Sequence, residues 1–129
     1  MLSVAFLRNV NQGQRGHPST AMIVEAFVSA GIDDAMPFQS NGTVVFEAAD
    51  ADGIVADVVG MLGARGFPRD CFVMPASDLA AIARDWEGSP TLSRMELTVH
   101  SGGTLDINHQ LATHEAERRR CRMMASGPG

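Results

Sequence analysis

Polar side chains are concentrated in residues 8–19, between an apolar run and a helix-like stretch. Those with chemistry to offer are Arg8, Asn9, Asn11, Arg15 and His17. Guanidinium groups, backbone N–H groups freed by glycine and the amides of a helix N-terminus together suit a phosphate or a carboxylate. The segment contains neither the Gly-Lys-Ser/Thr of a Walker A loop nor G-x-G-x-x-G. Two interpretations stay open: an anion-binding loop, or a polar connection whose side chains bond its own backbone.

Imidazole and carboxylate groups also gather in the C-terminal tail, at His100, Asp106, His109, His114 and Glu115. Such groups are ligands for zinc and other divalent metals. However, His109 and His114 are five residues apart, so a helix does not place them on one face. We therefore expect solvent-exposed polar residues here, with no metal and no cofactor.

Three further features bear on catalysis and on nucleic-acid binding. Cys71 and Cys121 are far apart, which indicates neither a disulfide framework nor a zinc site. No nucleophile–base signature surrounds either cysteine or the histidines, so the sequence leaves enzymatic activity open. The arginine run at residues 118–122 follows two glutamates, which is typical of a solvated helix end. Because the net charge is −5 and tyrosine is absent, we do not expect a nucleic-acid partner.

Length and composition describe an ordinary globular chain. Its 129 residues suffice for one folding unit, and 45% of them are hydrophobic. The N-terminus has no basic region, long apolar region or cleavage site, and no run approaches the ~18 apolar residues of a membrane span. We therefore expect a soluble, cytoplasmic protein without a membrane partner.

The spacing of apolar residues predicts alternating strands and helices over residues 1–86. Residues 2–7 suit a central strand, and Pro18 fits the first turn of a helix whose apolar stripe stops at Gly31. Asn41-Gly42 between two β-prone runs, at 35–39 and 43–48, is a strong hairpin signal. The pattern then predicts a second helix capped by Asp52, a strand at 70–74 and a short helix at 78–86 capped by Ser77.

The order strand, helix, hairpin, helix, strand predicts an α+β fold with a ferredoxin-like βαββαβ antiparallel sheet. Both helices then cover one face, and the other face needs cover. We further expect the 8–19 loop and the hairpin turn to lie at opposite ends of the sheet. Residues 87–129 are expected to form an appendage, with a second hairpin at 95–100 and 104–107 and a last helix capped by Asn108 and running to about residue 122.

Two segments carry a resemblance to a known family. Residues 4–13, VAFLRNVNQG, resemble the opening L-L-R-G-I-N-V-G-G of domain-of-unknown-function family 1697, and residues 38–46, FQSNGTVVF, resemble its Y-I-N-S-G-N-V-V-F. Residues 78–82, DLAAI, are similar to its later E-L-x-x-I. The resemblance covers residues 2–86, and the family's T-x-R-N-W-x-T segment has no counterpart in residues 90–129.

This resemblance implies a ferredoxin-like N-terminal half, and it implies no activity. Two functional hypotheses follow from the residues. The first is a non-enzymatic binding or assembly module that forms a homodimer through the open sheet face or an edge strand. The alternative is an enzyme or small-ligand protein that binds a phosphorylated or carboxylated metabolite at the 8–19 loop.

Overall fold

A computed structural model describes residues 1–11, 13–99 and 106–125 of the chain. The chain divides into two compact units, Met1–Met95 and Glu96–Gly129. The strands of the first unit are β1 (Leu2–Leu7), β2 (Met36–Phe38), β3 (Thr43–Glu47) and β4 (Cys71–Pro75). Its helices are α1 (Thr20–Ser29), α2 (Ala51–Ala64) and α3 (Ala76–Asp85), followed by a 3-10 turn at Leu92–Arg94.

In the described residues, the strands form a four-stranded antiparallel sheet in the order β2-β3-β1-β4. The α+β class and the central position of the first strand, beside the third, are confirmed. Val4 lies opposite Val45 on β3 and Met74 on β4. Such a sheet brings both ends of the first strand next to residues that are 37 to 72 positions away in the chain, from Phe6 with Thr43 to Ser3 with Pro75.

Helices α1 and α2 pack on one face of this sheet and on each other. Side chains alternate between the two faces of the third strand, because Val44 and Phe46 are buried while Glu47 is exposed. Phe27 of α1 meets Phe46 with 5.1 Å between ring centroids. The same core holds Ala5, Leu7, Ile23, Ala26, Ile32, Val55, Val58 and Leu62. One helix-covered face thus holds the main core.

The helix starts differ in detail from the sequence prediction. Ser19 caps α1, because its hydroxyl accepts from the Met22 N–H at 3.2 Å. Pro18 therefore precedes the helix, whereas the sequence predicted it in the first turn. The cap of α2 is Asp50 and not Asp52, because the Asp50 carboxylate accepts from the Gly53 N–H at 2.9 Å. A Cβ on residue 53 would overlap that carboxylate, so the glycine makes room for the cap.

Helix α3 also begins earlier than the sequence predicted. It starts directly after Pro75 instead of at Ser77, and its N-cap makes no side-chain hydrogen bond. The fixed φ of Pro75, −58°, carries β4 straight into the first turn, which leaves no separate capping residue.

The second unit contains α4 (Gln110–Arg118), which is shorter than the predicted helix. His109, not Asn108, caps it, since the His109 Nδ1 accepts from the Leu111 N–H at 3.2 Å. The helix closes where the Cys121 N–H donates to the Ala116 carbonyl at 2.9 Å. A left-handed Arg120, with φ +57°, reverses the chain there and prevents continuation toward residue 122.

The predicted second hairpin is wrong for its described residues. Residues 95–99 and 106–107 form no strand, and residues 100–105 lie outside the described part of the chain. An isolated two-stranded hairpin is marginal without a further strand or helix to pack on, so alternation alone does not secure one. Among the described helices, none has the length and apolar character needed to cross a membrane.

Candidate functional site

The polar loop (residues 8–19) and the β2–β3 turn lie at the same end of the sheet. Phe6 is opposite Thr43, and the Leu7 N–H donates to the Gly42 carbonyl at 2.9 Å. The expectation that these two segments lie at opposite ends was wrong. In an antiparallel pair the carboxyl end of β1 lies beside the amino end of β3, which is where the turn delivers the chain.

Gly42 forms the tightest contact of this junction. Its φ is +82°, a left-handed conformation that L side chains rarely adopt. A Cβ at this position would lie 2.9 Å from the Leu7 carbonyl oxygen and 2.9 Å from the Val10 Cβ. Both the backbone conformation and the close approach of the loop therefore require glycine.

The polar loop is held by hydrogen bonds within itself. The Asn11 N–H donates to the His17 Nδ1 at 3.0 Å, and the His17 N–H donates to the Gln14 carbonyl at 3.3 Å. Asn9 is left-handed, with φ +57°. His17 is half-buried, and its Nδ1 acts as the acceptor of the bond from Asn11. These bonds favour the self-bonding interpretation for Asn11 and His17.

Arg69 joins the two ends of the loop, and sequence reasoning missed it. Its Nε donates to the Asn9 carbonyl at 3.0 Å, and its Nη2 donates to the Gly16 carbonyl at 2.9 Å. A third bond runs from Nη1 to the Pro68 carbonyl at 2.8 Å. The planar fork of arginine suits this role, because it spans several carbonyl oxygens at fixed angles.

The pairing register of β1 with β4 indicates that Arg69 lies next to the polar loop. Leu7 lies opposite Cys71, so two further steps along the antiparallel pair place residue 9 opposite residue 69. The Arg8 N–H donates to the Asp70 carbonyl at 2.8 Å, which continues the same ladder. The link could therefore be found only after the first and fourth strands had been paired.

The five candidate ligand residues fall into two groups. Asn9 contributes its carbonyl to Arg69, and Asn11 and His17 bond each other. Arg8 and Arg15 are exposed, and within the described part of the chain their guanidinium groups have no hydrogen-bond or ion-pair partner. All five belong to the loop that leads from β1 into α1.

The other candidate groups are spread out. Cys71 is half-buried in β4, and burial raises the pKa of its thiol from 9.0 to about 11. It is therefore a neutral thiol at physiological pH, which makes it a poor nucleophile. In the described part of the chain no three metal-ligating side chains gather, and His100 lies outside that part.

A family model described as "Protein of unknown function (DUF1697)" matches residues 1–121 of the chain. The chain belongs to this family. No curated protein and no solved structure gives a significant match. The DUF1697 match extends beyond the two motifs recognised near the N-terminus and reaches across α4.

Residues 4–13 and 38–46, the two DUF1697-like segments, meet in the structure. The first contributes β1 and the start of the polar loop, and the second contributes the turn and β3. Their contact is the Leu7–Gly42 hydrogen bond together with the packing of Val10 on Gly42. The junction gives these segments of the DUF1697 protein a shared structural role, which is to close one end of the sheet.

Proposed function

We propose that this DUF1697 protein is a non-enzymatic binding and assembly module whose β-sheet associates with a second copy of the chain. A ferredoxin-like assignment of the fold is part of this proposal. It is supported by the order β1-α1-β2-β3-α2-β4 and by the packing of α1 and α2 on one face. That packing leaves the opposite face of the sheet without α1 and α2.

The observation that carries the proposal is the apolar character of that opposite face. One cross-strand row consists of Met36, Val45, Val4 and Met74, and the next consists of Phe38, Thr43, Phe6 and Phe72. Met36 and Phe38 are 60% and 58% exposed. Val4, at the centre of the first row, is buried, so the exposed apolar surface lies at the β2 side of this face. Large exposed apolar side chains that lie together are typical of an interaction site.

Analytical ultracentrifugation of the full chain over increasing concentration tests the proposal. We expect a monomer–dimer equilibrium, with Met74→Glu weakening it because a carboxylate then enters the sheet surface. Val28→Glu is the matched control, since Val28 is an exposed apolar residue on α1. A strict monomer at every concentration, or equal behaviour of the two variants, would contradict the proposal.

A second candidate function is binding of a phosphorylated or carboxylated metabolite at the polar loop, as a ligand protein or an enzyme. It is favoured by the exposed side chains of Arg8 and Arg15 in the loop that leads into α1, because backbone N–H groups at a helix start also suit an anion. The fork of Arg69 holds the loop that carries both groups, which lowers the ordering cost of binding.

Thermal-shift measurements with inorganic phosphate, nucleotides, phosphosugars and carboxylates test this second candidate. A ligand is expected to raise the midpoint of the wild type and of Arg84→Ala, a cation on α3, but not of Arg8→Ala or Arg15→Ala. A shift that persists in both loop variants, or no shift with any of these compounds, counts against the site.

A further inference from the structure

The two edges of the sheet differ in how they are protected against pairing. In the described residues the edges are β2 and β4. β2 is three residues long with Pro37 at its centre, and both properties discourage the addition of a strand. β4 has five uncharged residues, Cys-Phe-Val-Met-Pro, with its proline only at the end. Of the two described edges, β4 is therefore the one less protected against pairing.

The backbone groups that face this open edge follow from the ladder between β1 and β4. The Arg8 N–H donates to the Asp70 carbonyl, and bonding groups alternate between the two sides of a strand. Phe72 and Met74 therefore bond to β1, while Cys71 and Val73 present their N–H and C=O groups outward. Helix α3 contacts β1 as well as β4, so its contacts are not confined to the edge strand.

We propose that a second copy of the chain pairs with β4 in antiparallel register about Val73. This inference rests on the proposed function, because it names the seam of the same self-association. Val73 then lies opposite Val73 of the second copy, and the two exchange N–H···O=C bonds. Cys71 lies opposite Pro75 of the second copy. The Pro75 carbonyl accepts from the Cys71 N–H, and because proline has no N–H, the hydrogen-bond ladder between the two copies ends there.

Side chains on the open sheet face match in the same register. Phe72 lies opposite Met74 of the second copy, as a close, non-hydrogen-bonded pair on the face away from α1 and α2. Thioether sulfur and an aromatic ring attract each other, and the pair occurs twice about the axis. Because β4 carries no charge, the seam brings no like charges together. The apolar rows of both copies become one continuous surface.

The size of the seam decides how strong the dimer is. Five residues at ~3.3 Å each make a strand ~17 Å long, and a sheet is ~10 Å thick. The area buried along such an edge is far below the ~800 Å² that each partner buries in a standard stable interface. We therefore expect a weak, concentration-dependent dimer, which suits a second copy better than a permanent partner.

Val73→Pro in the full chain tests the seam, with Val73→Ala as its matched control. Both variants lose side-chain packing, but only proline removes the outward N–H, and neither touches the ladder to β1. Sedimentation should show a dissociation constant raised at least ~tenfold by proline relative to alanine. Circular dichroism establishes that both variants are folded.

Three outcomes are distinguishable. A dimer lost in Val73→Pro and kept in Val73→Ala supports the seam. Equal dimerisation of both variants overturns the seam and leaves self-association through another part of the sheet. A wild type that stays monomeric overturns the seam and the proposed function together.

Cross-linking keeps the test decisive if Val73→Pro does not fold. In a Cys71→Ser, Cys121→Ser background, chains with Phe72→Cys and chains with Met74→Cys are mixed and oxidised. The register predicts a mixed disulfide between them, because opposite residues of a close pair lie within disulfide range. Met36→Cys on β2 should not cross-link to either. Absence of the mixed disulfide, or equal capture by Met36→Cys, overturns the register.

Discussion

Gly42 and Arg69 hold the polar loop against the sheet by different means. Gly42 allows the loop to approach, since it lacks the Cβ that would meet the Leu7 carbonyl. Arg69 ties the loop down, since one guanidinium group bonds the carbonyls of Asn9 and Gly16. The first effect is steric and the second is electrostatic, so substitutions at the two positions should have separable consequences.

Replacing Gly42 with alanine should destabilise the protein by ~3 kcal/mol, since the new methyl group adds a backbone clash to the cost of a positive φ. Gly66→Ala is the control, because Gly66 has φ +88° but nothing within 4 Å of a built Cβ. It should lose ~1 kcal/mol from the backbone conformation alone. Urea unfolding measures both. Equal losses in the free energy of unfolding would mean that the close approach of the loop to residue 42 adds no steric penalty.

Replacing Arg69 with alanine should lower the free energy of unfolding by ~1–2 kcal/mol, because the Asn9 and Gly16 carbonyls lose a charged donor. Arg69→Lys should recover only part of this, since one ammonium group does not reproduce the fork. Amide exchange should quicken across residues 9–17 in both variants. Arg65→Ala, which removes an exposed pair with Glu25, is the control and should leave this exchange unchanged.

At the scale of single elements, the start of α2 distinguishes the structure from the sequence prediction. Asp50→Ala should cost ~1 kcal/mol, because the Gly53 N–H loses its acceptor. Asp52→Ala removes only a first-turn charge and should cost less than ~0.5 kcal/mol at moderate salt. Chemical denaturation of both variants makes the comparison. A larger loss for Asp52→Ala would restore Asp52 as the cap.

Elements with a local signal could be predicted from the sequence. The strand at Leu2–Leu7, the turn at Asn41-Gly42 and the buried pair Val44 and Phe46 all follow from residue type and period two. The N-cap residues of the helices were harder to predict, because Asp50 and Asp52 are equally good capping residues. The choice depends on Gly53, whose missing side chain leaves room for one carboxylate.

Features that depend on two distant strands could not be predicted. The contact of Gly42 with Val10 and the bonds of Arg69 to the loop join segments 32 and more residues apart. Both follow from the registers in which β1 pairs with β3 and β4. The hydrophobic pattern indicates which face of a strand is buried, but not which residues of two strands lie opposite each other. The sequence could name the candidate ligand residues. It could not show that His17 bonds within the loop while Arg8 and Arg15 are exposed.

At the scale of the whole molecule, composition simplifies one measurement. All ten basic side chains are arginine, and the chain has no lysine and no tyrosine. Lysine and tyrosine, the side chains that ordinarily titrate between about pH 9 and pH 11, are therefore absent, and the raised pKa of Cys71 lies in this range.

Cys71 should make the whole molecule less stable in alkali. Burial raises the pKa of its thiol from 9.0 to about 11, so the folded state holds a proton that the unfolded state releases. This contribution is complete below pH 9 and declines as the pH rises to 11, by ~2 kcal/mol in the free energy of unfolding. Cys71→Ala should flatten the decline, whereas Cys121→Ser, at an exposed thiol, should keep it. Urea unfolding at half-unit pH steps measures the slope, and an equally steep decline in Cys71→Ala would assign the alkaline loss to another group.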